Sequence, residues 1–259
     1  MASHPLRAAA KIRNSCTHTM PVEKVRAGKQ RGLGESMVER LPFAAIEFAA
    51  NPEPRCPCVL LLDTSASMAG VRIAELQRGL AQFRDELQAD PLARKRVEVA
   101  IVTFGGSVRL ASDFTVIESF EPPRLVADGL TPMGAAVQTG LELLRGRKQI
   151  YRDNGLAYYR PWMFLLTDGE PNDDWREAAT AVQQAETGRQ VAFFAVGVGE
   201  ANMDVLAQIA TRKPLQLRGM MFREMFQWLS NSLRSVSQSG LTDEVALANP
   251  ASPDGWAKV

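Results

Sequence analysis

The chain has 259 residues, 46% of them apolar, and a net charge of +1 from 30 Lys and Arg against 29 Asp and Glu. That length and apolar content suit one large α/β domain with tails. The balanced charge gives no field favouring nucleic acid or a membrane surface, and no apolar run is long enough to cross a bilayer.

Residues 1–36 carry Arg7, Lys11, Arg13, Lys24, Arg26, Lys29 and Arg31 with little apolar periodicity, and read as a disordered basic tail. A transit segment has a similar Arg-rich, acid-poor composition, but the continuous apolar core of a secretory signal is missing. Both histidines, His4 and His18, fall here. His-based catalysis and His-ligated zinc are thereby removed from the main domain, residues 37–238. Residues 41–58 are proline-rich, and Phe43, Ile46 and Phe48 could pair at a sheet edge or cover the sheet. Cys56 and Cys58 share one face of an extended chain. They are either a metal or redox pair or two small apolar residues entering the first strand, and a metal would need further soft ligands. Three cysteines, with Cys16, make no disulfide framework, which points to a reduced, cytoplasmic protein.

The run Cys58-Val59-Leu60-Leu61-Leu62 reads as a strand buried on both faces. Ile73, Leu76, Leu80, Phe83 and Leu87 then mark an amphipathic helix over 71–88, ended at Asp90-Pro91. Residues 97–104 form a second strand, and Gly105-Gly106 turns into a third, more polar one over 108–116, antiparallel at the sheet edge. Met133, Val137, Leu141 and Leu144 mark the next helix. Residues 145–160 are basic and hold Tyr151, Tyr158 and Tyr159, so they read as a solvated connection or as a surface for a partner or nucleic acid. Strands follow at 162–167 and 191–198. Between them lies a helix capped by Asp173-Asp174 and closed by Gly188. A short helix over 202–210, an edge strand at 215–217 and a last helix with Phe222, Met225, Phe226, Leu229, Leu233 and Val236 complete the domain. Residues 239–259, with Pro250, Pro253 and Gly255, read as a tail.

Six strands alternating with helices predict a doubly wound, mostly parallel α/β sheet with one antiparallel edge. In the order 3-2-1-4-5-6, the first and fourth strands are neighbours. Their carboxyl ends carry Asp63 and Asp168, so a ligand site falls at the switch point between them. Asp63, Ser65 and Ser67 set hard oxygen donors at alternate positions of one turn, Thr131 offers a hydroxyl at a helix start, and Asp168 ends the fourth strand. Hard oxygens at one point suit Mg²⁺ or Mn²⁺. Taken singly, Ser65 and Ser67 could cap a helix, Thr131-Pro132 could open one, and Asp168-Gly169 could be a plain turn.

Together these five positions resemble the metal-ion-dependent adhesion site of the von Willebrand factor A (VWA) family, whose pattern is Asp-x-Ser-x-Ser, a distant Thr and a distant Asp in Thr-Asp-Gly. The resemblance runs from about residue 41 to 237. It implies that Ser65, Ser67 and Thr131 contact the ion directly or through water, with Asp63 and Asp168 acting through water or as acceptors behind the groups that touch the ion. Residues 51–58 leading into Asp63, with 130–134 and 166–171, resemble bacterial TerY-type VWA proteins. In those, Ala66 is often Gly. This likeness implies a tellurite-resistance or chemical-stress role beside a protein kinase and a PP2C-type phosphatase. The chain from Met37 resembles the start of such proteins, which makes Met37 an alternative start.

Two functions compete. In a binding module, the ion bridges to an acidic residue of a partner protein. A Mg²⁺-dependent hydrolase or phosphatase would need a nucleophile or activated water and a base. Such hydrolases usually carry a second Asp two residues after the first, where this chain has Ser65. The sequence therefore favours a non-enzymatic binding module.

Overall fold

An apolar run without polar alternation can satisfy itself only between two covering layers. The computed structural model, which describes Lys11–Arg13 and residues 48–258, places the runs in this way. The strands are β1 (Lys11–Arg13), β2 (Cys56–Asp63), β3 (Val97–Gly105), β4 (Ser107–Val116), β5 (Trp162–Thr167), β6 (Ala192–Gly197), β7 (Leu215–Leu217), β8 (Glu244–Ala246) and β9 (Ala257–Lys258). The helices are α1 (Val71–Gln88), α2 (Ala93–Arg96), α3 (Met133–Asp153), α4 (Arg176–Thr187), α5 (Met203–Ile209) and α6 (Phe222–Gln238).

One sheet among the described residues runs β4-β3-β2-β5-β6-β7-β9. The central strand β2 pairs in parallel with both β3 and β5, and every residue of β2, β5 and β6 is buried. Alternate side chains serve opposite layers, as the two-residue period of a strand requires. Leu60, Leu62, Phe164, Leu166, Phe194 and Val196 pack with Leu76, Leu80 and Phe83 of α1 and Phe226, Leu229 and Leu233 of α6. Leu61, Met163, Leu165 and Phe193 pack with Met133 and Val137 of α3, Val182 of α4 and Leu206 of α5. Helix α3 lies close on the sheet because Gly140 has no side chain. A Cβ there would fall 2.8 Å from the Met163 sulfur.

The order of β2 to β7, the six strands read from the sequence, is the expected one, with the β2–β5 switch point at the centre. The sheet is seven-stranded, however, and antiparallel at both edges, because β9 pairs with β7 as β4 pairs with β3. Residues 239–258 are therefore no simple tail. Trp256 is buried and packs edge-on against Trp228, ring centroids 5.7 Å apart, and the Trp228 indole N–H donates to Ala248 O at 2.8 Å. Pro250, Pro253 and Gly255 shape the turns that bring this segment back. The segment also holds β8, which pairs antiparallel with β1. The readings of Phe43, Ile46 and the rest of residues 1–36 lie outside the described residues. Cys56 and Cys58 are both fully buried in the core beside α6, as apolar entry residues would be. Burial, with Glu98 nearby, pushes the Cys56 thiol up to about 12, and burial raises Cys58 as well.

The basic tyrosine stretch is more than a solvated connection, because its tyrosines are buried while Arg145 and Arg152 stay exposed. Helix α3 continues through it to Asp153, and Tyr151, Tyr158 and Tyr159 are buried. The cause is Glu98, wholly buried on β3. Its carboxylate accepts from Arg55 Nε at 2.7 Å, from Arg147 Nε at 2.8 Å and Nη2 at 2.9 Å, and from the Tyr151 hydroxyl. Both guanidinium groups lie over the aromatic ring of Phe48, 5.3 and 5.4 Å from its centroid. Breaking a buried ion pair strands the other charge, at about 3–5 kcal/mol. Glu98→Ala is expected to destabilise the fold by that amount in chemical denaturation. A loss under about 1 kcal/mol would show that the cluster is solvated.

Candidate metal centre

The loops that leave β2 and β3 are sewn to each other and to the loop that leads into α3 by backbone hydrogen bonds. Thr64 N–H donates to Phe104 O at 3.0 Å, Asp128 N–H to Thr64 O at 2.8 Å, Ala66 N–H to Gly129 O at 3.0 Å and Gly106 N–H to Leu130 O at 2.8 Å. The approach leaves no room for side chains. A Cβ on Gly105 would sit 2.1 Å from Thr64 O, and one on Gly129 2.3 Å from the Gly106 Cα. Gly106 and Gly129 also hold left-handed φ values of 67° and 72°, which glycine adopts without penalty.

Asp63 ends β2 with no solvent contact. Its Oδ1 accepts from Ser65 N–H at 2.8 Å, and its Oδ2 accepts from the Thr167 hydroxyl at 2.5 Å. Burial pushes the Asp63 carboxyl above the ordinary aspartate value, against these hydrogen bonds, and the charge of Asp168 adds to the rise. Ser65 Oγ lies 3.0 Å from Ser67 Oγ, and the Ser67 hydroxyl donates to Asp168 Oδ1 at 2.7 Å. Thr131 sits just before α3. A Cβ on Gly169 would be 3.4 Å from Thr131 Oγ1 and 3.9 Å from Ser67 Oγ, so the threonine hydroxyl faces the same space. Asn172 N–H donates to Thr131 O at 3.1 Å and fixes that turn against the loop after β5. The structure thus brings together all five residues singled out in the sequence. Asp63, Ser65, Thr131 and Asp168 are buried, and Ser67 is exposed at the mouth.

Three participants were not read from the sequence. Thr167 precedes Asp168 and locks Asp63. Asp173, read as a cap for α4, instead caps α3. Its carboxylate accepts from Gly134 N–H at 2.9 Å and Ala135 N–H at 2.8 Å, while Asp174 takes Arg176 N–H at 3.1 Å. Arg72 is the third. Its Nη1 donates to Asp168 Oδ2 at 2.6 Å and to Ser67 O at 3.2 Å. A cation in the first turn of a helix opposes the helix dipole. That position was the available signal that Arg72 needs an anion elsewhere.

Three neutral hydroxyls and two carboxylates converge here, all hard oxygen donors, with neither His nor Cys among them. This donor set fits a small divalent cation of the Mg²⁺ or Mn²⁺ kind, with water completing its coordination. Among the described residues, no three side chains of His, Cys, Asp and Glu gather as a soft or carboxylate-only metal site would require.

Comparison with known proteins gives the same fold. The pilus adhesin SpaC of Lactobacillus rhamnosus GG is similar at 14% identity and a TM-score of 0.53, over 71% of this chain and 30% of that one. Proximal thread matrix protein 1 of the mussel byssus, in a structure with a zinc-occupied MIDAS motif, is 17% identical with a TM-score of 0.48, over 70% of this chain and 48% of that one. Manganese-loaded TRAP protein of Plasmodium vivax is 21% identical with a TM-score of 0.43, over 62% of this chain and 64% of that one. The chain therefore spans about half the length of the mussel protein it matches. The sequence model of the von Willebrand factor type A domain matches residues 58–226, more than half of the chain, from the middle of β2 into α6, and the chain belongs to that family.

Proposed function

We propose that this protein is a metal-dependent binding module. Asp63, Ser65, Ser67, Thr131 and Asp168 hold Mg²⁺ or Mn²⁺, and an acidic residue of a partner protein completes the coordination. The observation that carries this reading is the continuous chain from Thr167 through Asp63, Ser65 and Ser67 to Asp168, closed on the inside and open at Ser67. Neutral hydroxyls leave a bound ion electrophilic, so an external carboxylate can add to it. Both acidic side chains are already engaged by donors, Asp63 by Ser65 and Thr167, Asp168 by Ser67 and Arg72. Neither is placed as a free general base, which favours recognition over hydrolysis.

The surroundings suit a protein partner. Val71, Val126 and Leu130 are 65%, 66% and 65% exposed, and Val71 and Leu130 stand on the segments that carry Ser67 and Thr131. Apolar side chains around a polar centre give a partner contact area that an ion alone does not. The TerY-like wording of residues 51–58 and 166–171 supports a protein kinase or PP2C-type phosphatase as partner, in a cytoplasmic tellurite-resistance or chemical-stress system. No described helix is long and apolar enough to cross a membrane.

Titration calorimetry should show Mg²⁺ or Mn²⁺ binding that Asp63→Ala/Ser65→Ala abolishes, with the candidate kinase or phosphatase captured only when the ion is present. Equal ion affinity in the double variant, or capture indifferent to chelator and to Asp168→Ala, would contradict the proposal. Arg72 and the ion compete for Asp168, so Arg72→Ala should tighten ion binding about fivefold, equivalent to about 1 kcal/mol for a partly exposed pair. Weaker binding in that variant would show instead that Arg72 organises the site.

Asp63 also gives a pH signature. A carboxyl whose value is raised on folding stabilises the fold while protonated, and that contribution fades as pH rises above the ordinary aspartate value through the raised one. Without ion, at neutral pH, the buried charge is therefore a burden. Asp63→Asn should raise the melting temperature in chelator by about 2–4 °C, the shift that about 1 kcal/mol gives in a domain of this size. The same change should remove the extra stability that added ion gives the wild type.

A further inference from the structure

At the other end of the sheet, where β5 and β6 begin, a concavity of about 420 Å³ is lined by Arg145, Lys148, Arg152, Arg160 and Arg189, with Tyr158 and Pro161 in its wall. No carboxylate lines it among the described residues. The chain balances 30 cations against 29 anions overall, so this gathering is a local choice and does not follow from a basic composition. Several cations elsewhere meet carboxylates: Arg55 and Arg147 meet Glu98, Arg84 meets Glu121, Arg96 meets Glu53 and Arg212 meets Glu186. Here, among the described residues, only Arg160 approaches a carboxylate, at 4.0 Å from Glu186.

We propose that this concavity binds an oligophosphate, a chain of two or more phosphate groups that is either free or the tail of a nucleotide. Arg160 is buried and forms the floor, fixed by donating Nε to Val191 O at 2.8 Å and Nη2 to Glu186 O at 3.2 Å. Lys148 Nζ reaches only a carbonyl, Gln190 O, at 3.4 Å, and Arg152 reaches Gln149 Oε1 at 2.7 Å and the Tyr158 hydroxyl at 3.3 Å. Arg145, Lys148, Arg152 and Arg189 form no ion pair among the described residues. Four such charges exceed what one phosphate group neutralises, and guanidinium forks match phosphate oxygens in pairs. The cations also strain one another. Burial, then Arg152 and Arg145, lowers the Lys148 value, and burial, then Arg189, lowers that of Arg160. A bound polyanion relieves this repulsion. Arg189 further holds a left-handed backbone, φ 55°, in the turn after α4, which is a position where glycine is cheaper. The six residues of β5 separate this site from Asp168 by about 20 Å, at about 3.3 Å per residue. The inference does not depend on the metal centre.

The test is calorimetry on the full chain in chelator, titrating tripolyphosphate, ATP and adenosine at one ionic strength. Tripolyphosphate and ATP should bind, and adenosine should not. ATP binding the tighter of the two would assign the site to nucleotides, and equal affinity would assign it to the phosphate chain itself. Arg145→Ala/Arg189→Gly removes two exposed side chains and leaves the turn free to form. It should weaken tripolyphosphate at least tenfold without lowering the melting temperature. Arg109→Ala, on the distant edge strand β4, and Asp168→Ala should leave tripolyphosphate affinity unchanged. Absence of tripolyphosphate binding, equal affinity in the double variant, or an equal loss in Arg109→Ala would overturn the proposal.

Discussion

The carboxylate of Asp63 is buried at the end of the central strand, and an unsolvated charge there must be matched by fixed donors. Ser65 N–H and the Thr167 hydroxyl meet that requirement. One donor comes from the turn after β2 and the other from the end of β5, so the same carboxylate joins the two strands that flank the switch point. Everything at this end follows from that junction. The Ser65 and Ser67 hydroxyls are set by the turn, Asp168 follows Thr167 by one residue, and the Gly105, Gly106 and Gly129 contacts press the β3 and α3 loops against both.

The two ends of the sheet carry opposite electrostatics. At the carboxyl ends, Asp63 and Asp168 concentrate negative charge that, among the described residues, Arg72 offsets within the site. At the amino ends, Arg55 and Arg147 share the carboxylate of Glu98, and the nearby cations at the start of β5 and β6 are left in excess. A cation at one pole and a polyanion at the other are the ligands such a distribution favours. The rigid sheet between the poles keeps each site's geometry independent of loops at the opposite end.

What could be read from the sequence follows from how local the causes are. Strands β2, β5 and β6 announce themselves as apolar runs because both faces are covered, and the helix over 71–88 shows its period directly. The five oxygen donors were readable because each stands at a strand end or helix start. Tyr151 was not, since its partner Glu98 lies 53 positions away and its flanking charges hide the helical period. Residues 239–258 looked like a tail because Trp256 finds Trp228 and β7 only through the tertiary fold. Asp173 was assigned to the nearer helix in sequence, whereas the close packing of Gly134 against Asp174 and Trp175 hands its carboxylate to α3.

The account rests on the claim that three hydroxyls from two separate turns meet at one ion. Manganese is the most direct probe, because its anomalous scattering identifies it without assumption. A crystal of the protein soaked in Mn²⁺ should show one strong anomalous peak about 2.0–2.3 Å from oxygens of Ser65, Ser67 or Thr131, or bridged to them by water, as hard-oxygen coordination requires. A crystal with no peak in this pocket, or with manganese bound only at surface carboxylates, would contradict it.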